Sequence, residues 1–193
     1  VILCMKWGTK YGPEYVDRLY GMVRRHLRGE FRFVCLTDRS EGIRPAVQCL
    51  TIPPLDLPPG IPERGWKKLT SFEADLHGLK GTALFLDLDV VIVDDITPFF
   101  EQPGEFLIIH DWKRPWRVTG NSSVYRFKLG AHADVLAYFR EHFEQVRKDV
   151  RNVHVMDQRG VNYKDMDKFG DVKNDWLTVK GNFGPELGFG WVS

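Results

Sequence analysis

The run Ala83-Leu84-Phe85-Leu86-Asp87-Leu88-Asp89-Val90-Val91 carries two carboxylates in an otherwise apolar stretch. Burying an unpaired carboxylate is costly, and a divalent cation offsets that cost directly. Residues i and i+2 of a strand share a face, so the spacing predicts that Asp87 and Asp89 converge on one ion. Mg²⁺ or Mn²⁺ held by one or two carboxylates fills its other positions with phosphate oxygens and water. The chemistry expected of this motif is therefore the handling of a metal-bound diphosphate. The competing reading is that the two aspartates only end a strand and cap the next turn. Asp94 and Asp95 precede Ile96-Thr97-Pro98, a helix-start context, and read as capping or solvated acids.

A buried strand of this kind needs a sheet around it. Val1 to Met5 and Phe31 to Leu36 read as two further short buried strands, and Val47 to Ile52 as a third. Pro13 suits the first turn of a helix in which Val16, Leu19, Tyr20, Val23 and Leu27 recur at helical spacing. Arg24, Arg25 and Arg28 fall late in it, where the helix dipole favours cations. Pro53, Pro54, Pro58, Pro59 and Pro62 make a stiff surface connection. Leu69, Phe72, Leu76 and Leu79 predict a helix before the Asp-x-Asp run. After it come a strand at Phe106 to Ile109, another at Ser123 to Phe127, and one long helix from Val135 to Val146. Strand and helix alternate, which predicts an α/β domain with a mixed, mostly parallel central sheet. Ligands in such sheets bind beyond the carboxyl ends of the strands, which places Lys6 to Tyr11, Thr37 to Asp38 and Asp87 to Asp89 on one rim.

The 193 residues fit one domain, with 27 Lys and Arg against 26 Asp and Glu, a net charge of +1. That balance argues against a chain built to grip nucleic acid. Cys4, Cys35 and Cys49 are an odd set without close spacing, as expected of free thiols in a reducing, cytoplasmic setting. No apolar run approaches the ~20 residues of a membrane helix, and the opening VILCM runs into Lys6 and Trp7 rather than into a leader pattern. His26, His77, His132 and His142 read as surface helix residues, none at metal-ligand spacing to another.

The string LFLDLDVVIVDDI resembles the Asp-x-Asp region of glycosyltransferases with the GT-A fold. Five other pieces agree with it in order. Lys6-Trp7-Gly8-Thr9-Lys10-Tyr11-Gly12-Pro13-Glu14-Tyr15-Val16 resembles the first nucleotide-binding loop of a group of bacterial glycosyltransferase-like proteins. Phe33-Val34-Cys35-Leu36-Thr37-Asp38 resembles their second strand end, and Gly65-Trp66-Lys67-Lys68-Leu69 their basic helix start. Gly120-Asn121-Ser122-Ser123-Val124 and Asp157-Gln158 resemble acceptor-side and catalytic-side motifs of retaining, GT8-like enzymes. The resemblance implies a single Rossmann-like GT-A domain over residues 1–193 that moves a sugar from a nucleotide-sugar, most often a UDP-sugar, to a glycan, lipid or protein acceptor. It implies Mn²⁺ or Mg²⁺ on Asp87 and Asp89. It places Lys6, Trp7, Gly8, Tyr11, Thr37, Asp38, Lys68, Asp87 and Leu88 against the donor, with Tyr11 or Trp7 at the base and Lys68 at the diphosphate. Asn121, Asp157 and Gln158 would act near the sugar, with retention of configuration. The plain alternatives are packing aromatics, a solvated Lys68, a turn-forming Asn121 after Gly120, and a surface Asp157-Gln158 pair.

The last ~35 residues depart from the family pattern. GT8-like enzymes commonly supply a late histidine for the metal, and none follows His154 here. Lys180-Gly181-Asn182-Phe183-Gly184 reads as a phosphate loop or as a plain Gly-rich tail. His110-Asp111-Trp112 reads as a strand-end turn or a donor contact. Arg114, Trp116 and Arg117 interleave base and ring as sugar or phosphate contacts do. Two other functions share the motif. One is a GT-A-like module that binds nucleotide or glycan without turnover. The other is a phosphatase of the haloacid dehalogenase type, whose first aspartate is a nucleophile.

Overall fold

The computed structural model describes residues 1–61, 63–110, 120–149 and 189–191. A six-stranded sheet forms its centre. Strands β1 (Ile2–Lys6), β2 (Phe33–Thr37), β3 (Gln48–Thr51), β4 (Thr82–Leu86), β6 (Phe106–His110) and β7 (Gly120–Lys128) lie in the order β3-β2-β1-β4-β7-β6. The first four in that order run parallel, and β7 is antiparallel to both β4 and β6. A separate pair joins β5 (Val90–Ile92) to β8 (Phe189–Trp191), with Val90 opposite Trp191. The sequence-predicted strands are present with their ends shifted by up to three residues, and the Ala83 to Val91 run is divided into β4 and β5.

Alternation along the strands sorts the core into two layers. Leu3, Met5, Val34, Leu36, Ala83 and Phe85 face one way, toward Phe72, Leu136, Phe139 and Phe143. Ile2, Cys4, Phe33, Cys35, Leu84 and Leu86 face the other, toward Val16, Leu19, Val23 and Phe99. The sheet is buried on both faces, as βαβ topology requires. Helix α1 (Pro13–His26) covers the second face. Pro13 starts it, Val16, Leu19 and Val23 are its buried stripe, and Arg24, Arg25 and His26 end it. Short α2 (Pro98–Glu101) joins that layer, and the Asp95 carboxylate accepts the Thr97 amide at 2.9 Å in the turn before it rather than capping the helix. Cys4, Cys35 and Cys49 stand side by side across β1, β2 and β3, and all three are free thiols.

Three expectations need correction. The helix foreseen over Leu69 to Leu79 is a 3₁₀ helix at Arg64–Phe72 followed by turns. His77 (φ 53°) and Gly78 (φ 70°) adopt left-handed backbone, and the Asp75 carboxylate takes the Gly78 amide at 2.6 Å, which closes the chain into a turn. The apolar spacing there reflects burial of Phe72, Leu76 and Leu79 without a continuous helix. The long helix over Val135 to Val146 is two helices, α3 (Ala133–Glu141) and α4 (Phe143–Asp149), broken at His142. Phe139, Phe143 and Val146 stay buried across the break, so the stripe continues. His132 is not a surface residue: it is 7% exposed, edge-on to Phe106 and Phe72. His77 lies in the turn, not on a helix.

Candidate active site

Strands β2 and β4 flank β1 on opposite sides, so the chain reverses its direction of travel across the sheet between β1 and β4. A crevice opens at the carboxyl ends of strands at such a reversal. The loop after β1 and the turn after β4 border it, and side chains join them. The Tyr11 hydroxyl donates to Asp89 Oδ2 at 2.8 Å. The Gly8 amide donates to Asp38 Oδ2 at 2.9 Å, which ties the β1 loop to the end of β2. Gly8 has φ +63°, where a side chain would be strained. The three predicted rim segments therefore meet.

Asp87 and Asp89 lie in the turn between β4 and β5, not within one strand. Strand alternation is thus not what orients them, which corrects the reasoning from i, i+2 spacing. They are also unequal. Asp87 is half-buried, and Lys68 Nζ donates to its Oδ2 at 2.7 Å. Burial raises the Asp87 carboxyl above the ordinary carboxylate range, against the pull of Lys68 and the Ser123 hydroxyl. Asp89 is exposed, and among the described residues nothing donates to its Oδ1. Lys68 comes from the 3₁₀ helix, which is fastened from beneath. Ser71 Oγ donates to the Lys68 carbonyl at 2.7 Å and lies 3.0 Å from the Tyr125 hydroxyl. Tyr125 stacks on Phe85 of β4 at 4.7 Å, and burial pushes its hydroxyl well above the usual tyrosine range.

The serines beside Lys68 and Asp87 were not assigned roles from sequence. Lys68 Nζ lies 3.4 Å from the Ser122 carbonyl and 3.5 Å from its hydroxyl, and the Asp87 amide donates to the Ser123 carbonyl at 2.8 Å. An irregularity delivers them. Ile108 pairs with Tyr125 but Ile109 pairs with Asn121, so Ser122, Ser123 and Val124 bulge out of the β6–β7 ladder. Bulges of this kind re-aim side chains next to sites. The signal available in sequence was the repeated serine in the Gly120 to Val124 motif.

The remaining expected residues divide. Trp7 packs partly buried on the first core layer. Lys6 is 5% exposed at the end of β1, and among the described residues no hydrogen bond or ion pair reaches its ammonium. Thr37 spends its hydroxyl on Arg39, donating to the carbonyl and accepting the amide. Leu88 is buried in the second core layer. Asn121 Oδ1 accepts the Ser123 amide at 2.9 Å, which shapes the bulge. Asp157, Gln158, His154, Asp111, Trp112, Arg114, Trp116, Arg117 and the Lys180 to Gly184 segment lie outside the described residues.

Among the described residues no third His, Cys, Asp or Glu joins the two aspartates in a group able to hold a metal ion. An all-protein cation cage is therefore not formed by them. Two carboxylates, one with an oxygen clear of hydrogen bonds, do suit Mg²⁺ or Mn²⁺ shared with phosphate oxygens and water. No helix among the described residues is long and apolar enough to cross a membrane.

The strand order between two helical layers is that of a GT-A fold, as the solved structures it resembles show. No protein-family model matches the sequence, and no curated protein matches it either. Among solved structures, the chain is similar to the galactosyltransferase LgtC, determined in complex with donor and acceptor sugar analogs. That likeness has a TM-score of 0.53 at 16% identity, over 93% of this chain and 70% of that one. It is also similar to the apo form of the glycosyltransferase GlyE of Streptococcus pneumoniae TIGR4, with a TM-score of 0.55 at 14% identity. There the match covers 88% of this chain and 43% of the other, so the chain spans less than half of GlyE. At these identities the likeness is one of fold.

Proposed function

We propose that the protein is a metal-dependent glycosyltransferase that transfers a sugar from a UDP-sugar to a glycan, lipid or protein acceptor. The observation that carries this reading is the braced turn at the crevice, with Lys68 on Asp87 and Tyr11 on Asp89. Glycosyl transfer passes through an oxocarbenium-like state while negative charge builds on the leaving diphosphate. Lys68 stands where it can neutralise part of that charge, and Asp87 holds it there. Mn²⁺ or Mg²⁺, when bound, would supply Lewis-acid stabilisation of the same diphosphate from the Asp87 and Asp89 side. The Gly8 and Asp38 contact shapes the β1 loop for the nucleoside. Asp157, Gln158 and Asn121 are assigned to the sugar and acceptor, with retention as the expected outcome.

The test is direct. A panel of nucleotide-sugars is added with and without Mn²⁺, and thermal stabilisation is measured. Mn²⁺-dependent stabilisation by UDP and one UDP-sugar, with donor turnover lost in Asp89→Ala, is the expected result. The absence of any Mn²⁺-dependent UDP binding would overturn the reading. Binding without hydrolysis or transfer would instead favour a non-catalytic module.

A further inference from the structure

The two aspartates of the turn are braced from opposite sides, and by different parts of the chain. Asp87 is held by Lys68 of the 3₁₀ helix, whereas Asp89 is held by Tyr11, 78 residues away in the β1 loop. Among the described residues, the Tyr11 hydroxyl makes the only side-chain hydrogen bond between that loop and the turn. The ring itself is fixed within the loop and the start of α1. Tyr15 meets it edge-on at 4.8 Å, and the Lys10 ammonium lies 4.7 Å from its centroid. A rigid ring anchored at one end and bonded to a carboxylate at the other transmits position.

We propose that Tyr11 is a positioning residue that couples nucleoside binding in the β1 loop to cation binding at Asp89. The inference rests on the proposed function, since it takes the crevice as the donor site. The hydroxyl holds Asp89 Oδ2 and so fixes the carboxylate, whose Oδ1 accepts no hydrogen bond among the described residues. Partners that orient ligating carboxylates typically change metal affinity by about 10–100-fold when removed. A nucleoside that settles against the β1 loop restrains Tyr11 and therefore Asp89. Binding linkage is reciprocal, so the cation must in turn tighten nucleoside binding by the same factor. Tyr11→Phe keeps the ring and its packing but removes the hydroxyl that, among the described residues, makes the only side-chain hydrogen bond from the loop to the turn.

The experiment is a titration of Mn²⁺ alone, read by the loss of the free-ion electron paramagnetic resonance signal. It is run on the wild-type chain, Tyr11→Phe and Asp89→Asn, each with and without saturating uridine. Uridine is used because it has no phosphate to bridge to the ion. The expected result is a Kd for Mn²⁺ about tenfold weaker in Tyr11→Phe than in wild type. Uridine should tighten Mn²⁺ binding in wild type and leave Tyr11→Phe unchanged. Asp89→Asn should lose binding. Equal Mn²⁺ affinity in wild type and Tyr11→Phe, or an equal uridine effect in both, overturns the coupling and leaves the proposed function standing. No Mn²⁺ binding by wild type, with UDP as well as alone, overturns both. A thermal midpoint for Tyr11→Phe matching wild type without ligand shows that the loop is intact, so a loss of affinity then belongs to the hydroxyl.

Discussion

Asp87 and Asp89 are one motif in sequence and two environments in space. Asp87 is partly buried against Lys68, each side chain about one-fifth exposed at 21%, whereas Asp89 reaches solvent. The consequences of mutation therefore separate. Asp89→Ala should change stability by no more than about 0.5 kcal/mol, as exposed substitutions usually do. Lys68→Ala leaves a half-buried carboxylate without its counter-charge, and should cost about 1–3 kcal/mol. Both should weaken Mn²⁺-dependent UDP binding. Urea unfolding of the two variants beside a UDP titration checks the split, and equal stability losses would contradict it.

At the scale of elements, the strands were legible because fully buried β segments are short apolar runs bounded by turns. Phe33 to Leu36 and Ala83 to Leu86 leave little else to read, and Pro13 announces α1 by its fixed φ. The segment from Leu69 to Leu79 reads as a helix because its apolar positions satisfy a helical period whether or not the backbone follows it. Asp75 and Gly78 decide the matter through a local side-chain bond that periodicity does not register. The pairing of Tyr11 with Asp89 was illegible for a different reason. Each residue stands out in the sequence, but their contact depends on which strands are neighbours, and that is a property of topology. The β7 bulge is likewise a fact of pairing with β6.

His132 shows how one such element responds to pH. It sits where β7 turns into α3, and burial lowers its pKa, against the opposing influence of Asp134, Glu105 and a bond to the Glu105 backbone. In the folded chain it resists protonation, while in the unfolded chain it takes a proton near the ordinary value of about 6.5. As pH falls below that value, the unfolded state gains protons that the native state refuses, so stability declines; above it, this contribution is fully present. His132→Phe, which suits the neighbouring Phe72 and Phe106, should flatten the dependence. Urea midpoints at pH 5 and pH 7.5 measure this, and an unchanged slope in the variant would refute it.

For the whole molecule, a net charge of +1 conceals a sorted distribution. Lys68 faces Asp87 in the crevice, while Arg24, Arg25 and His26 close the far end of α1. Chain reversal between β1 and β4 concentrates chemistry at one rim, and the antiparallel strand β7 brings Ser122 and Ser123 to it from the other side. Strand β8 pairs with β5 directly beyond Asp89, so residues 189–191 lie next to the turn on which the proposed chemistry depends.

The row of three thiols across the first strands gives the sheet a built-in gauge of peeling. Cys49 lies on the edge strand β3 and is partly exposed, whereas Cys35 and Cys4, one and two strands further in, are fully buried. Burial raises the pKa of the thiol at either end of the row, Cys4 most, which slows attack on a maleimide until a strand lets go. Timed labelling with mass readout should therefore modify Cys49 first, then Cys35, then Cys4, as the sheet opens from its β3 edge. Simultaneous labelling of Cys35 and Cys4 would instead mean that the inner strands part in a single step. Three ordinary cysteines thus record, strand by strand, how far from the crevice an opening begins.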